Sequence, residues 1–399
     1  MGMQITFVSN YINHHQLPFC KAMLEAGSDI DFHFIQTMPM EEKRVSMGWA
    51  VDEKSLDFVV LYYEEKERAQ QLILDSDVVL FGWTEGETEE LEKKRLSSGK
   101  LSFRVSERLY REGQWKFISP KGLIKKYHQH FVYKDKPVYL LCTGAYVASD
   151  FELIKSYPDK RLKWGYFPFV ACKVKKDELS QTDRIKILWA GRLIDLKHPE
   201  YAIEAAKALK DKGVNFSLDI IGDGPMKQEL EKRVNSLELS DKVTLKGMMK
   251  PEEVHEAMAV SHVFLFTSNY LEGWGAVVNE AMQCGCAVVA SKEAGAVPFL
   301  IRDHVNGLTY RDGSLKEFLE KTTGLLQDKD MIESLGMSAR ETINNKWNAK
   351  NAATELIRFC KEYYDNGNPS PSLDGPMSRA EVLKAPGFLR TLKEKNHLE

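Results

Sequence analysis

The sequence predicts an α/β protein made of two doubly wound, Rossmann-like domains. Three observations predict it. Apolar runs of strand length alternate with stretches of helical apolar spacing, the pattern of parallel sheets covered by helices. The 399 residues exceed one ordinary core and suit two domains of Rossmann size plus a tail. The second half runs through the same α/β series as the first, and no other internal repeat emerges.

Composition narrows the function classes. The hydrophobic and charged fractions are those of a soluble globular protein, and a formal net charge of -3 gives no basic field for nucleic acid, which is not expected as a partner. The six cysteines are scattered, forming neither a CxxC pair nor a Cys/His metal cluster, and read as reduced, cytoplasmic thiols; a cofactor is not expected. No basic start precedes a long apolar segment and no apolar run reaches membrane-spanning length. Membrane contact is therefore expected to be peripheral, at the inner face of the cell membrane.

The first strand is expected at Gln4–Asn10 and the first helix at Gln16–Ala26, where Leu17, Cys20, Met23 and Leu24 recur at helical spacing. Asn13, His14 and His15 lie in the loop between them, beyond the strand's carboxyl end, where open α/β sheets bind ligands. The two histidines suit hydrogen bonding to a sugar, capping of the helix or plain surface exposure. Strands follow at Ile30–Ile35, Phe58–Leu61, Val78–Phe81, Leu101–Val105 and Val138–Leu141, with helices near Lys66–Leu74 and Thr88–Leu96. Ser106-Glu107-Arg108 comes directly after Val105, again at a ligand edge, with pairing of Glu107 and Arg108 to each other or to solvent as the alternative. Between Phe117 and Lys134, apolar side chains interleave with Lys121, Lys125, Lys126, His128 and His130. That mixture fits a surface touching anionic lipid or a lipid-linked acceptor, or else a solvated basic helix.

Lys173–Arg184 is polar enough to be an interdomain linker. Ile185–Ala190 then opens the second series, and the loop after it carries Gly191, Arg192 and Lys197 before a helix that starts at Pro199. Two cations leaving one strand end can meet one anion, each charge-assisted contact contributing about 1.5 to 3 kcal/mol. Phe216–Ile221 leads into Gly222-Asp223-Gly224-Pro225, read as turn chemistry, and Val243–Lys246 ends in Gly247-Met248. After the strand Val263–Phe266 comes the stretch on which the half is organised, EGWGAVVNEAMQCGCAVVA, Glu272 to Ala290. Glu272 and Glu280 have seven residues between them; Gly273-Trp274-Gly275 suits a sharp turn, and a helix beginning near Gly275 puts Glu272 in the loop and Glu280 on the second turn. The helix start also offers free amides to an anion. Ala287–Ala290 is the next buried strand, and Ser291–Pro298 is loop-like.

In this order, ILWAGRL…K, IGDGP, E-G-W-G-x4-E-A, A-G-x-x-P and H-V-N-G-L resemble the nucleotide-sugar half of retaining GT-B glycosyltransferases of the glycosyltransferase family 4 type, glycosyl transferases group 1, which includes glycogen-synthase-like and phosphatidylinositol mannosyltransferase-like enzymes. The likeness is close from Ile185 to about Leu308 and is one of pattern in the N-terminal half. It implies a GT-B fold with two domains facing a cleft, and transfer of a sugar from a nucleoside-diphosphate sugar to a hydroxyl of a glycan or lipid-linked saccharide, with retention and without metal, in surface polysaccharide biosynthesis. It also implies roles by position: Arg192 and Lys197 on the donor diphosphate, Glu280 on the ribose, Glu272 facing the donor sugar. Gly191 and the backbone of Gly273, Trp274, Gly275 and Ala276 would contact donor, and Gly247 and Met248 would wall the nucleobase. Asn13, His14 and His15 fall on the acceptor side. Glu107 stands where many relatives place a catalytic histidine.

Two departures accompany the likeness. The Gly-rich first loop of many relatives is replaced by Asn10–His15, and a common carboxylate is replaced by Phe299. The expected division is 1–170 for the acceptor domain, 171–345 for the donor domain, 346–365 for a helix returning to the N-terminal domain, and 366–399 for linker and tail. Leu356, Ile357, Cys360 and Tyr364 form the returning helix's apolar stripe, and Asn366–Pro376 reads as flexible. The rival functions are a nucleotide-sugar epimerase of similar fold and a non-catalytic sugar-nucleotide-binding protein.

Overall fold

The structure, a computed structural model, describes residues 2–42, 51–170, 174, 184–311 and 313–386. The expected linker lies outside the described residues apart from Val174 and Arg184, as do Cys172, Phe388, Leu389 and Leu392. Two compact units are present: one comprises the residues up to Pro168 and those from Asn348 on, the other Phe169–Trp347.

The first unit contains β1 (Met3–Ser9), α1 (Leu17–Glu25), β2 (Ile30–Gln36), β3 (Val59–Leu61), α2 (Lys66–Asp75), β4 (Val78–Phe81), α3 (Glu87–Ser97), β5 (Ser102–Ser106), α4 (Pro120–Gln129), β6 (Val138–Thr143), α5 (Val147–Leu153) and β7 (Arg161–Trp164). Its strands pair in parallel in the order β3-β2-β1-β4-β5-β6-β7. Every residue of β4 is buried, as helices on both faces of a parallel sheet require. The chain winds from β1 out to β3 and returns through β4 to wind the other way. The switch point therefore lies between β1 and β4, where Val8 pairs with Phe81.

Two elements here carry almost no sequence signal. α5 buries Ser149 and Asp150 along with its apolar residues, breaking the helical spacing, because Asp150 accepts from Arg108 at 3.0 Å, from the Tyr110 amide at 2.9 Å and from Gln114 at 2.9 Å. β7 alternates Arg161 and Lys163 with Leu162 and Trp164, as an edge strand tolerates. That edge is covered by the C-terminal segment. Lys163 donates to the Ser378 carbonyl at 2.7 Å, and the Met377 and Ala380 amides donate to Lys163 and Arg161 carbonyls, both at 2.9 Å.

The long helix Ala349–Asn366 belongs to this unit and lies on α1. It buries Leu356, Ile357 and Cys360 and sets Phe359 edge-on to Tyr139, with ring centroids 4.9 Å apart. Tyr364, half exposed, still reaches the Asp77 carbonyl at 2.8 Å. The stretch after it, expected to be a flexible linker, is instead fastened to this helix: Arg358 donates to the Ser370 carbonyl at 2.9 Å and the Ser370 amide to Glu362 at 2.8 Å.

The second unit contains β8 (Ile185–Ala190), α6 (Pro199–Asp211), β9 (Phe216–Ile221), α7 (Lys227–Ser236), β10 (Val243–Gly247), α8 (Pro251–Val260), β11 (Val263–Phe266), α9 (Ala276–Gln283), β12 (Ala287–Ser291), α10 (Val297–Leu300), β13 (Leu308–Tyr310), α11 (Leu315–Leu325) and α12 (Lys329–Asn345). The parallel order is β10-β9-β8-β11-β12-β13. β11 and β12 are buried throughout, and the switch point falls between β8 and β11. The stretch expected as loop up to Pro298 ends by entering the single turn of α10. The five described cysteines are buried free thiols.

Two buried basic side chains in the first unit have measurable consequences. Arg95 is fully buried with no carboxylate against it; it donates to the carbonyls of Asp77 at 2.8 Å and Leu101 at 3.0 Å and to the Ser102 hydroxyl at 3.2 Å. Burial pulls its guanidinium down to about 10, so it remains charged at neutral pH. Replacing it with methionine orphans those acceptors. The expected loss is about 3 kcal/mol in a denaturant titration, and a loss below about 1 kcal/mol would contradict the anchoring role.

His130 is buried with Nδ1 2.8 Å from Arg104 and 3.1 Å from the Tyr157 hydroxyl. Burial, with Arg104 and Lys126 beside it, holds its imidazole well below the ordinary 6.5. As pH falls below 6.5 the unfolded chain takes up a proton that the folded one refuses, so stability declines with acid. Melting temperatures from pH 7.5 to 5 should fall less steeply for His130→Gln than for the parent chain.

Candidate functional site

In the second unit, the loops that leave β8 and β11 meet at the switch point. The Trp189 indole donates to the Thr267 hydroxyl at 2.8 Å, Thr267 donates to the Lys197 carbonyl at 2.6 Å, and the Asn269 amide donates to the Leu196 carbonyl at 2.8 Å. These bonds seam the two loops together. Lys197 is thereby carried to Glu272, with which it forms a short ion pair between largely buried side chains. Arg192 stays exposed on the loop after β8.

His198, between Lys197 and α6, is in the left-handed region at φ 46°, a conformation costing about 1 to 3 kcal/mol that is kept where its surroundings impose it. Its Nδ1 lies 2.7 Å from Glu200 and its Nε2 3.3 Å from the Asn269 amide. The strain fixes the turn that aims Lys197.

The glycines set how closely backbones approach. A Cβ on Gly222, at φ 140°, would stand 1.8 Å from the Gly191 carbonyl, so the IGDGP turn lies directly against the loop of Arg192. It is a close-approach device as well as a turn. Gly275 is left-handed at φ 86° at the start of α9, where a Cβ would lie 2.6 Å from the Phe266 ring. Only glycine lets the chain turn from Glu272 into the helix there.

Trp274, expected to meet the donor through its backbone, has its side chain turned into the core, where its indole donates to Asn279 at 2.8 Å. Phe299 and Trp347 stack at 5.7 Å, and Trp347 lies 6.1 Å from Trp274. Phe299 thus supplies an aromatic brace for the turn. The Ala296 amide adds a bond to the Trp274 carbonyl at 3.0 Å. One helical turn and more beyond Ala276, Glu280 lies 3.7 Å from His255 Nε2 on α8. At the end of β10, Gly247 accepts from the Gly222 amide at 2.8 Å and Met248 is exposed.

The first unit has its own polar cluster at its sheet edge. The Asn13 side chain accepts from the His15 and Gln16 amides at 2.9 and 3.3 Å, so it closes the turn into α1 and is committed to backbone. His14 and His15 lie ring to ring at 3.8 Å, and His15 stacks on Tyr166 at 5.6 Å. Tyr166 donates to Glu107 at 3.0 Å, linking loops distant in sequence. Arg108 pairs with Asp150, so Glu107 and Arg108 do not pair with each other. Trp83, two residues past β4 at the switch point, is 64% exposed.

Sequence reasoning missed Thr267, His198, Asn269, His255, Tyr166 and Trp83. All but Trp83 act through a partner far along the chain, and local spacing carries no sign of that. Only Trp83 had a readable signal, an aromatic just beyond a buried strand.

Residues 172–342 match the family Glycosyl transferases group 1. The chain is 29% identical over 180 residues to alpha-D-kanosaminyltransferase of Streptomyces kanamyceticus, an alignment covering 45% of this chain and 46% of that protein. It is 35% identical over 163 residues to sulfoquinovosyl transferase SQD2 of Arabidopsis thaliana, covering 40% and 30%. The chain therefore spans less than half the length of these curated relatives. Among solved structures, Anabaena Alr3699/HepE in complex with UDP superposes with a TM-score of 0.63 at 13% identity, over 90% of this chain and 98% of that one, a likeness of fold. Residues 172–342 therefore form a Glycosyl transferases group 1 domain, in a chain whose two Rossmann-like α/β units have the GT-B fold.

Proposed function

We propose that the chain is a retaining, metal-independent glycosyltransferase that moves a sugar from a nucleoside-diphosphate sugar to a hydroxyl of a glycan or lipid-linked saccharide, in surface polysaccharide biosynthesis. The observation that carries this reading is the Lys197–Glu272 pair at the β8/β11 switch point, one helix away from Glu280. In an open α/β sheet that is where a nucleotide binds. Lys197 and Arg192 hold the donor diphosphate and stabilise the negative charge that grows on it as the glycosidic bond breaks. Glu280 accepts from the ribose hydroxyls, Glu272 faces the donor sugar, and the amides of Gly275 and Ala276 meet phosphate at the start of α9. Gly191 and Gly273 give room for close approach, and Met248 covers the base.

The acceptor is assigned to the first unit, at the edge bearing His14, His15 and Glu107. Trp83 presents a flat apolar face there, suited to the C–H face of a pyranose. The seat of activity is proposed as the membrane periphery, which suits a lipid-linked acceptor. UDP-sugars are the first donors to try, since HepE was solved with UDP.

The test is a thermal-shift screen against UDP-, GDP-, ADP- and CDP-sugars. One nucleotide should raise the melting temperature selectively, by the equivalent of about 2.7 kcal/mol at a hundredfold excess over Kd, and Glu280→Ala and Arg192→Ala should each reduce the shift. Absence of any shift in the parent chain would remove the donor reading. Once a donor and an acceptor are in hand, Lys197→Ala should lower kcat by about 10²- to 10³-fold. Trp83→Ala should raise the acceptor KM roughly fivefold with donor KM unchanged, and equal changes in both constants would argue against the stacking role.

A further inference from the structure

Helix α4 sits on the first unit with its amphipathicity inverted. None of its ten residues is buried, and the half-covered ones are Gly122, Lys126 and Gln129, so its small and polar side faces the protein. There Lys126 donates to Gln129 at 3.3 Å, and Arg104 donates to the Gln129 carbonyl beside buried His130. Arg104 anchors the end of the helix from below, while the Lys126–Gln129 bond lies within the helix.

Its outer side is apolar. Leu123, Ile124 and Tyr127, spaced one and four apart, share one face, with Ile124 61% and Tyr127 50% exposed. Ile118 just before the helix and Val132 just after it extend the strip and are also exposed. Contiguous apolar surface of this kind marks an interaction site, whereas single exposed side chains need no explanation.

Charge selects the partner. From Gly113 to Lys134 the chain has no acidic residue, in a protein of net charge -3. On the helical wheel His128 and Lys121 border the apolar strip on one side, with exposed Lys125 beyond them, and half-covered Lys126 stands between the strip's other margin and the side that faces the protein. An apolar stripe flanked by lysines whose stems lie along it is the form of a helix resting in a lipid headgroup layer. A protein partner of ordinary mixed charge would call for carboxylates on the rim, and this rim has none. Ten residues make a helix about 15 Å long, too short to cross a hydrocarbon core of about 30 Å. Among the described residues no helix is long and apolar enough to span a membrane.

We propose that the outer face of residues 118–132 is a docking surface for an anionic lipid bilayer, with Leu123, Ile124 and Tyr127 in the headgroup–acyl boundary and Lys121 and Lys125 over the lipid phosphates. It specifies the surface behind the peripheral placement above, and it stands apart from the donor assignment, which nucleotide melting shifts test by themselves.

Flotation of the full chain with vesicles decides it. Phosphatidylcholine vesicles containing a third phosphatidylglycerol should carry the protein upward, and pure phosphatidylcholine vesicles should not. High salt should weaken the binding. Leu123→Ser with Ile124→Ser, and separately Lys121→Glu with Lys125→Glu, should each lower the partition coefficient about tenfold or more. Both double variants alter exposed side chains, so unchanged melting temperatures and nucleotide shifts are expected, which separates lost docking from lost folding. Parent protein that ignores the anionic vesicles, or variants that float as well as the parent, would overturn the proposal. So would sedimentation showing a parent dimer that Leu123→Ser with Ile124→Ser turns to monomer, since the strip would then be covered by a second copy.

Discussion

A parallel sheet covered on both faces leaves its chain almost nowhere to place polar chemistry. Strands such as β4 and β11 are apolar along their whole length, and β12 up to its last residue, Ser291, because any side chain on them is inside. Polar groups must then leave at the carboxyl ends, and only where neighbouring strands wind in opposite directions do two such loops part to leave room between them. Both units obey this constraint. The loops after β8 and β11 carry Lys197 and Glu272, and the loops after β1 and β4 carry His14, His15 and Trp83.

Within that constraint the second unit treats its charges in a particular way. Lys197 and Glu272 are mostly withdrawn from water and held against each other, and Glu280 has His255 beside it. Pairing offsets the desolvation that either charge alone would suffer. The hydrogen-bonded seam through Trp189, Thr267 and Asn269 fixes the backbone, so little remains to be ordered when a ligand arrives. The strained His198 and the left-handed Gly275 are parts of the same frame, one at each loop. The first unit spends its buried charges differently, with Arg95 and Asp150 holding loops and helices in place.

Much of this was legible in the sequence because the strands are short, apolar and bounded by glycine. Ile185–Ala190, Phe216–Ile221 and Val263–Phe266 fall where the pattern puts them. The loop residues Arg192, Lys197 and Glu272 and the helical Glu280 were legible from their offsets to strand ends. What could not be read depends on contacts across the chain. Asp150 looks like a surface residue until Arg108 is set against it, and α5 is invisible for that reason. The inward turn of the Trp274 side chain cannot be seen until Phe299 and Trp347 are set beside it. β7 looks like polar loop until the tail from Met377 to Ala380 pairs with it. The inverted face of α4 was readable as composition, but its outward direction was not.

That tail gives the first unit a particular order of construction. Its sheet begins at Met3, yet the segment that seals the β7 edge and the helix that covers α1 both follow the whole second unit in the chain. During synthesis the first sheet must therefore wait, with an unpaired strand at one margin and an uncovered helix face, while some 180 residues of another domain emerge and fold. A nascent chain of this design depends on the second unit's folding quickly and keeping out of the way, and chaperone occupancy should concentrate on the first unit until its last strand arrives.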